Sequence, residues 1–395
     1  MTQPKASPSP GQQRQMHIYL EGTQGKKPAF PVSIEDLARK AQELLKPEAF
    51  DYLAGSAGSE DTARANLEAF RRWRIVPRFL RDVAKRDLSV ELFGQRFPAP
   101  FLLAPIGVQS ILHEEAELAV ARAARSTGVA MILSTVSSFT LEEVAATLGD
   151  SPRWFQLYRP NSNELTASFL ARAEKAGYSA LVVTLDTFSL AWRERDIRHA
   201  YLPFLYGAGL ANYFSDPVFR GMLTSPPEQD LRQAAEQFSR VYSNPAFTWN
   251  DLDFLREQTR LPIILKGILS PDDARYAVEH GMDGIIVSNH GGRQLDGAIA
   301  ALDALPQAVE AVGDKLAVLF DSGIRRGADV LKAIALGARA VLLGRPYCYG
   351  LAVNGEQGVR DVVLNLLTDI DISLANAGAA SFEELSRENL REGQV

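Results

Sequence analysis

From residue 100 onward, short apolar runs alternate with segments whose apolar residues recur at helical spacing. Eight runs have the length of a buried strand, at residues 101–104, 131–134, 154–157, 181–184, 263–265, 284–287, 317–320 and 340–343. Alternating strands and helices are typical of βαβ units around a parallel sheet. Eight repeats predict that the sheet closes, as an α/β protein with a (β/α)8 TIM barrel. An open, doubly wound sheet would normally carry a glycine fingerprint after its first strand, where this chain has Ala104-Pro105-Ile106-Gly107.

Two regions depart from this repeat. Residues 33–80 carry helical patterns and predict a helical preface that covers one end of the barrel. Roughly seventy residues separate the fourth run from the fifth, far more than the ~2–6 residues of a usual βα loop. We expect a disordered tail over residues 1–15 and one domain over residues 16–395, with the barrel core at about 100–350 and the insertion at about 197–250.

The insertion is rich in aromatic residues between Tyr201 and Asn244. A solvated loop has little use for so many rings, because exposed apolar surface is usually covered by something. The pattern therefore predicts a lid over a substrate site, a surface buried against a neighbouring subunit, or both. We expect a homo-oligomer, either a tetramer or an octamer.

The composition narrows the class of protein. The chain has 395 residues, 46% of them hydrophobic, and a net charge of −6, so it can bury a large core but lacks the basic surface that binds nucleic acid. Its one cysteine, Cys348, excludes a disulfide framework, and five histidines leave little room for a metal site. No apolar run approaches the ~20 residues that cross a bilayer, and the N-terminus lacks the pattern of a secretory signal. We expect a cytoplasmic protein that binds no membrane and no metal.

Polar and charged residues gather just after the apolar runs, where barrel enzymes carry their chemistry. In chain order these residues include Gly107, Ser134, Gln156, Tyr158, Thr184, Asp186, Arg193, Lys266, Ser288, His290, Arg293, Asp321, Arg325, Gly344 and Arg345. Solvated turns account for glycine, aspartate and serine at such positions. They account less well for a histidine, a lysine, a tyrosine and several arginines on one rim, so the set favours a functional site there.

Three residues of this set suggest acid–base chemistry. His290 and Arg293 share a glycine-rich turn, SNHGGRQ, in which the histidine can take a proton and the arginine can hold a carboxylate. The alternative for His290 is a hydrogen-bonded turn histidine. Asp186 follows an apolar run and could face His290 to stabilise its imidazolium, or could cap the next turn. Lys266 ends an apolar run, where its charge is costly unless it meets an anion or reaches solvent.

Two glycine loops predict phosphate binding. The stretch DSGIRRG begins at Asp321, after the seventh run, and GRP begins at Gly344, after the eighth. Backbone N–H groups of such loops, with the N-terminus of a short helix and an arginine, hold phosphoryl groups at this position of a barrel. The order of the two loops strengthens the prediction.

The motifs together resemble those of a known family. The stretches SNHGGRQLD (288–296), FDSGIRRG (320–327) and GRP (344–346) are similar to those of the FMN-dependent 2-hydroxy acid oxidases, which include glycolate oxidase, lactate oxidase, mandelate dehydrogenase and lactate 2-monooxygenase. The resemblance runs from about residue 16 to the C-terminus. The stretches APIGV (104–108) and NYFSDPVF (212–219) make lactate 2-monooxygenase the most similar branch.

This resemblance implies FMN as the cofactor and a role for each matching residue. It implies that His290 is the base that accepts the substrate's proton and that Asp186 is its charge partner. It places Tyr158 and Lys266 with them as catalytic residues, Lys266 stabilising the reduced flavin. The implied substrate contacts are Tyr52, Gly107, Tyr158, Arg193 and Arg293. The implied FMN contacts are Pro105, Ile106, Gly107, Ser134, Gln156, Thr184, Lys266, Ser288, Asp321, Gly323, Arg325, Gly344 and Arg345.

The implied reaction oxidises a small L-2-hydroxy acid, L-lactate first among them, with dioxygen as electron acceptor. Two electrons pass to FMN, either as hydride or by way of a carbanion. A 2-oxo acid that leaves early gives an oxidase, which also releases hydrogen peroxide. One that stays gives a monooxygenase, which turns lactate into acetate, carbon dioxide and water. We favour the monooxygenase because Gly107 is expected to leave a methyl-sized void for the oxo acid, the alternative being a glycine chosen for backbone freedom.

The residues expected to line the pocket narrow the choice of substrate, and two other classes of barrel protein have to be considered. Ile106 and Gly107 stand where the glycolate oxidase branch has threonine and alanine, and Leu53 and Val136 replace aromatics of that branch, which disfavours glycolate. A non-redox FMN barrel would share the phosphate loops but would not need His290 with two arginines. A catalytically silent binding protein would be expected to lose His290, Lys266 or Asp186.

Overall fold

The computed structural model describes residues 8–393 of the chain. Its strands are β1 (Trp73–Ile75), β2 (Val90–Leu92), β3 (Gln95–Phe97), β4 (Phe101–Leu103), β5 (Met131–Ser134), β6 (Arg153–Leu157), β7 (Leu181–Thr184), β8 (Ile263–Ile268), β9 (Gly284–Val287), β10 (Ala317–Phe320), β11 (Ala340–Leu343) and β12 (Leu390–Glu392). Strands β4 to β11 form a closed parallel barrel in sequential order. The predicted (β/α)8 barrel is therefore confirmed.

The helices surround this barrel. They are α1 (Pro10–Gly22), α2 (Ile34–Leu44), α3 (Pro47–Ala54), α4 (Asp61–Arg72), α5 (Ala116–Thr127), α6 (Leu141–Leu148), α7 (Asn163–Lys175), α8 (Glu194–His199), α9 (Ala211–Phe214), α10 (Pro217–Gly221), α11 (Leu231–Tyr242), α12 (Leu252–Gln258), α13 (Pro271–Glu279), α14 (Ala301–Val312), α15 (Gly327–Ala335) and α16 (Arg345–Ala377), with 3-10 turns at Gln109–Ile111, Pro203–Tyr206, Trp249–Asp251, His290–Gly292, Phe382–Glu384 and Arg387–Asn389. The backbone of α16 leaves helical geometry at Asn354 and Gly355. None of the helices described is long and apolar enough to cross a membrane.

Alternate strand residues face opposite sides of the barrel wall, and both sides are covered, which is why the barrel strands are apolar along most of their length. Leu102, Val182 and Ile264 belong to the cluster that fills the barrel interior. Their neighbours Leu103 and Leu265 belong to the larger core between the wall and the helices. The barrel is therefore solid below its mouth, and a ligand can enter only at an end.

The amino end of the barrel is closed by a hairpin that the sequence reasoning did not predict. Strands β2 and β3 pair through a turn at Phe93 and Gly94, both with positive φ. The rings of Phe93 and Phe97 pack on Trp154, with centroid distances of 5.6 and 5.9 Å. A two-residue turn ending in glycine is a hairpin signal, so the hairpin could have been predicted from the sequence.

The strand register brings polar side chains together at the carboxyl end. Ser134 of β5 pairs with Gln156 of β6, and Thr184 of β7 pairs with Lys266 of β8. Strand β8 continues past its predicted end to Ile268, with an irregularity after Lys266 and a positive φ at Gly267. The irregularity turns the strand where the charged residue emerges.

The helical preface forms as α2, α3 and α4, and the chain then enters strand β1. This strand pairs antiparallel with the C-terminal strand β12, so that Trp73 lies opposite Glu392 and Ile75 lies opposite Leu390. This pairing joins the end of the preface to the segment that follows α16.

The predicted disordered tail is wrong for the part of it that the structure describes, and residues 1–7 lie outside the described residues. Helix α1 begins at Pro10, with Ser9 as its N-cap in a capping box with Gln12. Ser9 Oγ and the Gly11 backbone N–H both donate to the Asp371 carboxylate on α16. A serine before proline, with glutamine three residues on, is a helix-start signal that a low apolar content had masked.

The insertion between β7 and β8 contains α8 to α12 and has an aromatic core of its own. Phe204, Tyr213, Phe219 and Phe238 are buried, and Tyr213 packs edge-on against Phe169 of α7 at 5.0 Å. Four of the eight rings between Tyr201 and Asn244 therefore stabilise the insertion itself.

We expect the anchor of α1 to be a large contribution to stability. Arg86 Nε lies 2.6 Å from Asp371 Oδ1, and both side chains are more than nine-tenths buried. Replacing Asp371 by alanine leaves a buried, unpaired arginine and should lower the free energy of unfolding by about 3–5 kcal/mol. Asp361→Ala removes the more exposed pair with Arg14 on the same helix and should cost less than about 1 kcal/mol. Urea unfolding of the two variants tests this, and equal losses would contradict it.

Candidate active site

A cavity of about 1180 Å³ opens at the carboxyl ends of the barrel strands. Its wall includes fourteen of the predicted site residues, namely Tyr52, Pro105, Ile106, Gly107, Tyr158, Arg193, Lys266, His290, Arg293, Asp321, Gly323, Arg325, Gly344 and Arg345. Five other predicted residues do not line it: Ser134, Gln156, Thr184, Asp186 and Ser288. They lie behind the wall, where they contact residues that do.

His290 and Asp186 form a hydrogen-bonded pair. His290 Nδ1 lies 2.8 Å from Asp186 Oδ1, which leaves the other ring nitrogen, Nε2, free to face a substrate. The backbone N–H of His290 donates to Ser288 Oγ at 3.0 Å, and the residue has a φ of 57°. A left-handed backbone is uncommon for histidine, and such conformations persist where the surroundings impose them.

Burial and charge act in opposite directions on this pair. Burial lowers the pKa of His290 below its usual value, and the Asp186 carboxylate offsets part of that effect. Burial disfavours the charged form of Asp186, but His290 and Lys266 outweigh it and hold the pKa of Asp186 below its usual value. The carboxylate therefore stays ionised while the imidazole is neutral near pH 7, as a proton acceptor requires.

Lys266 does not reach solvent. Its side chain is buried, and Nζ lies 2.9 Å from Ser288 Oγ and 3.0 Å from Asp321 Oδ2. Ser322 Oγ donates to the other oxygen of Asp321 and accepts from the Gly291 N–H, which ties the loop after β10 to the His290 turn. A lysine held in this way presents a fixed positive charge to the cavity.

A polar chain supports the cavity floor. Ser134 Oγ donates to Gln156 Oε1 at 3.1 Å, and Gln156 Nε2 donates to Thr184 Oγ1 at 2.9 Å. All three side chains are buried. Their amide and hydroxyl groups satisfy one another here, so their predicted contacts with a flavin ring stay a prediction.

Two arginines approach the cavity beside His290. Arg193 Nη2 donates to Gln294 Oε1 at 2.9 Å, and its Nε donates to the Arg293 carbonyl. Arg293 Nη1 donates to the carbonyls of Tyr52 and Gly55, both at 2.7 Å. Burial, with the nearby charges of Arg193 and Arg345, lowers the pKa of Arg293 to about 9. The crowding of these cations favours an anion between them.

The phosphate end of the cavity contains Arg325 and Arg345. Burial lowers the pKa of both groups, that of Arg345 to about 10. Among residues 8–393 neither pairs with a carboxylate. Glu60, near Arg345, pairs with Arg195, and Asp329, near Arg325, accepts the backbone N–H groups of Arg325 and Arg326. Arg345 instead donates to backbone carbonyls of the preface and the His290 turn: Leu53, Gly55 and Gly291.

The loops around these arginines have the shape that an anion needs. Gly323 has a φ of 106°, and a Cβ there would lie 3.0 Å from the Asn66 carbonyl oxygen, so only glycine fits. Gly344 directly precedes α16 and lines the cavity together with Arg345, the first residue of that helix. Glycine loops, a helix N-terminus and unneutralised arginines together suit a phosphoryl group.

Gly107 does not leave the void that we expected. A Cβ atom at this position would lie 2.5 Å from both the Cγ2 atom and the carbonyl oxygen of Val136. The Val108 N–H donates to that same carbonyl at 2.9 Å, which fixes the approach of the two segments. Close backbone packing therefore explains the glycine, and the prediction of a methyl-sized space is wrong.

Three further residues belong to the site: two come from the stretch predicted as a lid, and sequence reasoning missed the third, Thr187. Tyr242 and Phe204 come from the insertion and line the cavity, and Tyr242 packs edge-on against Tyr158 at 5.3 Å. Thr187 Oγ1 lies 3.2 Å from Asp186 Oδ1 and 3.4 Å from His290 Nδ1. Only the position of Thr187, one residue after Asp186, could have indicated it.

The packing of Gly107 leads to a test. We expect Gly107→Ala to lower the free energy of unfolding by about 1–3 kcal/mol, because the methyl group overpacks against a backbone oxygen. Val136→Ala should not rescue the variant, since it leaves that oxygen in place. Gly221→Ala is the matched control, as nothing lies within 4 Å of its added Cβ. Thermal unfolding that ranks Gly107→Ala with the control would show that the space exists after all.

Comparison with known proteins agrees with this geometry. Residues 41–392 match the family model described as FMN-dependent dehydrogenase. The chain is 45% identical to an L-lactate oxidase of Lysinibacillus sphaericus over 90% of its length and 92% of that protein. It is 40% identical to human 2-hydroxyacid oxidase 1, over 92% and 97% of the two chains.

Solved structures give the same result. The crystal structure of mandelate oxidase superposes with a TM-score of 0.82 at 40% identity, covering 92% of this chain and 100% of that one. Family match, relatives and fold all extend over nearly the whole barrel. The chain belongs to the FMN-dependent dehydrogenase family, and its cofactor is FMN.

Proposed function

We propose that this protein oxidises a small L-2-hydroxy acid, with L-lactate as the first candidate substrate and dioxygen as the electron acceptor. The observation that carries the proposal is the His290–Asp186 pair, 2.8 Å apart, at a cavity that also contains Arg193 and Arg293. A base and two carboxylate-binding cations within one cavity match the two polar groups of a 2-hydroxy acid. Curated relatives named L-lactate oxidase and 2-hydroxyacid oxidase support this assignment.

The residues present fit FMN. Arg325 and Arg345, with the loops at Gly323 and Gly344, would hold its phosphate, and Lys266 would face the ring with a fixed positive charge. The turn at residues 105–107 forms the wall beside them. When bound, FMN supplies the two-electron acceptor that no side chain of this protein can provide.

The remaining chemistry belongs to the chain. Arg193 and Arg293 bind the substrate carboxylate and so orient its hydroxyl group toward His290. His290 takes the hydroxyl proton at Nε2, and the Asp186 carboxylate stabilises the imidazolium that forms. Tyr52 and Tyr158 border the same space; burial, followed by the charge of Asp186, raises the pKa of Tyr158, which stays a neutral hydrogen-bond donor.

Two rival functions account for less of the site. A non-redox FMN barrel would use the phosphate loops but has no need of a buried histidine–carboxylate pair between arginines. A silent binding protein would not need to hold Lys266 against Asp321 and Ser288 inside the wall. Every charged group named here has a use in the oxidation.

For the product we propose the monooxygenase outcome, acetate with carbon dioxide and water from lactate. Two things support it: the APIGV and NYFSDPVF stretches, and the roof that Phe204 and Tyr242 of the insertion form over the cavity, which favours retention of the oxo acid. Gly107 does not support this outcome, because the space expected beside it is absent. The second candidate is an oxidase that releases pyruvate and hydrogen peroxide, which the names of the relatives favour.

A further part of the proposal is a homo-oligomer, either a tetramer or an octamer. The loop after β7 exposes Phe188, Leu190 and Trp192, of which Trp192 is 68% exposed. Apolar side chains grouped in this way are usually covered in the working molecule. The insertion can therefore contribute both to the cavity roof and to a subunit contact.

Anaerobic mixing with L-lactate tests the proposal directly. We expect the wild-type flavin to bleach, and His290→Ala to retain FMN but bleach at least ~100-fold more slowly, the usual effect of a lost general base. His280→Ala is the matched control, because His280 stacks on Trp249 on the surface of the barrel and lies outside the cavity wall. A His290→Ala variant as fast as the control would refute the assignment.

Turnover in air identifies the product. We expect acetate and carbon dioxide to account for most of the lactate consumed, because a retained oxo acid reacts before it leaves. Chromatography of the acids together with a peroxide assay measures the partition. Stoichiometric pyruvate and hydrogen peroxide would establish the oxidase instead and would leave the 2-hydroxy acid assignment intact.

The pH dependence should depend on Asp186. The rate of flavin reduction is expected to fall on the acid side as His290 becomes protonated, at a pH below the usual histidine range because burial lowers its pKa. Asp186→Asn removes a charge that raises this pKa, so the acid limb should move to still lower pH while the maximal rate falls ~10²-fold. Thr187→Val, which removes only a hydroxyl beside the same nitrogen, should move the limb much less. A limb that stays in place in Asp186→Asn, or moves upward, would contradict the pairing.

A further inference from the structure

A second cavity, of about 600 Å³, lies next to the active-site cavity. Three residues, Tyr158, Thr187 and Tyr242, line both cavities and so form a shared wall. The far side of the second cavity is lined by Arg159, Asn244 and Phe247 among others. None of the site residues that the family motifs imply, apart from Tyr158 and Thr184, lines it.

Arg159 is the unusual residue of this cavity. It is only 9% exposed, although arginine is almost never buried without a partner. Its Nη2 donates to Asn163 Oδ1 at 2.7 Å and its Nη1 to the Pro160 carbonyl. The Nε atom is buried and has no hydrogen-bond partner among residues 8–393.

The charge of Arg159 is poorly compensated. The one carboxylate that pairs with it in the described part of the chain, Asp251, lies 4.0 Å away. Phe247 and Phe254 lie within 5.1 and 5.8 Å of the guanidinium carbon, and cation–π contacts of this kind recover only part of the lost hydration. Burial lowers the pKa of Arg159, and Asp251 offsets only part of the effect.

We propose that this second cavity binds a small carboxylate with a short apolar tail, held by Arg159. A guanidinium with free donors matches the two oxygens of a carboxylate. The amide of Asn244 adds hydrogen-bonding capacity, and the rings of Tyr242 and Phe247 offer apolar surface to the tail. An ordinary 2-oxo or 2-hydroxy acid has this combination of groups.

An occupant would contact the wall of the reacting site. Thr187 hydrogen-bonds to Asp186 and lies beside His290, and Tyr158 faces the substrate space. An occupant of the second cavity would restrict the motion of both side chains, because both also line that cavity. The kinetic consequence, slower turnover at high concentrations of added 2-oxo acid, rests on the proposed function, whereas the binding itself does not.

Calorimetric titration of the FMN-loaded wild-type protein with pyruvate tests the binding, because pyruvate cannot be oxidised further by the flavin. We expect two sites per chain. Arg159→Gln should weaken one of them at least tenfold and leave the other, whereas Arg193→Gln should do the reverse. Asn244→Leu fills the second cavity without touching the guanidinium and should abolish the same site as Arg159→Gln, which separates binding from any effect of Arg159 on folding.

Each outcome is decisive. One site in the wild type that Arg193→Gln abolishes, or two sites that both survive Arg159→Gln and Asn244→Leu, would overturn the proposal. Failure of L-lactate to bleach the flavin would overturn the proposed function but would leave the Arg159-dependent pyruvate site measurable. If both hold, inhibition by added pyruvate that is not competitive with lactate should disappear in Arg159→Gln.

Discussion

Four side chains bring positive charge into a part of the barrel that water reaches poorly: Lys266, Arg293, Arg325 and Arg345. The surrounding structure depends on how that charge is compensated. Lys266 has Asp321 as its partner. Arg293 and Arg345 have backbone carbonyls of the preface instead, which carry only partial charge. Dipoles of this kind orient a guanidinium without neutralising it. The cavity consequently retains the capacity to bind both a phosphoryl group and a carboxylate.

The same contacts explain why the helical preface belongs to the functional site. Carbonyls at Tyr52, Leu53 and Gly55 accept hydrogen bonds from two arginines of the barrel, and the Tyr52 side chain forms part of the cavity wall. A preface that only covered the barrel would have no reason to present a helix C-terminus to cations. Such a terminus carries the negative end of the helix dipole, which favours a positively charged side chain beside it.

Local patterns in the sequence were sufficient to predict the barrel and those residues of the cavity wall that follow its strands. Apolar runs located all eight barrel strands, and residues that follow strands in space also follow runs in sequence, so His290 and Lys266 could be found by position. The sequence did not reveal packing between distant segments, such as the contact of Gly107 with Val136 and the packing of the Phe93 hairpin on Trp154. These depend on tertiary approach distances, which no periodicity encodes. Helix α1 was missed for another reason. Its N-cap signal was present, but the segment has too few apolar residues to show a helical pattern.

The pairing of β1 with β12 has a consequence for the order of folding. Roughly three hundred residues of chain separate the two partners, and contacts of such long range form late because the intervening loop must first be closed. On the ribosome, the preface and strand β1 emerge long before the partner strand β12 is synthesised. The barrel strands can associate as they emerge, whereas we expect the β1–β12 pairing, and with it the final position of the preface, to form later. Since carbonyls of the preface orient Arg293 and Arg345, we expect the cofactor-binding end to be completed after the barrel itself.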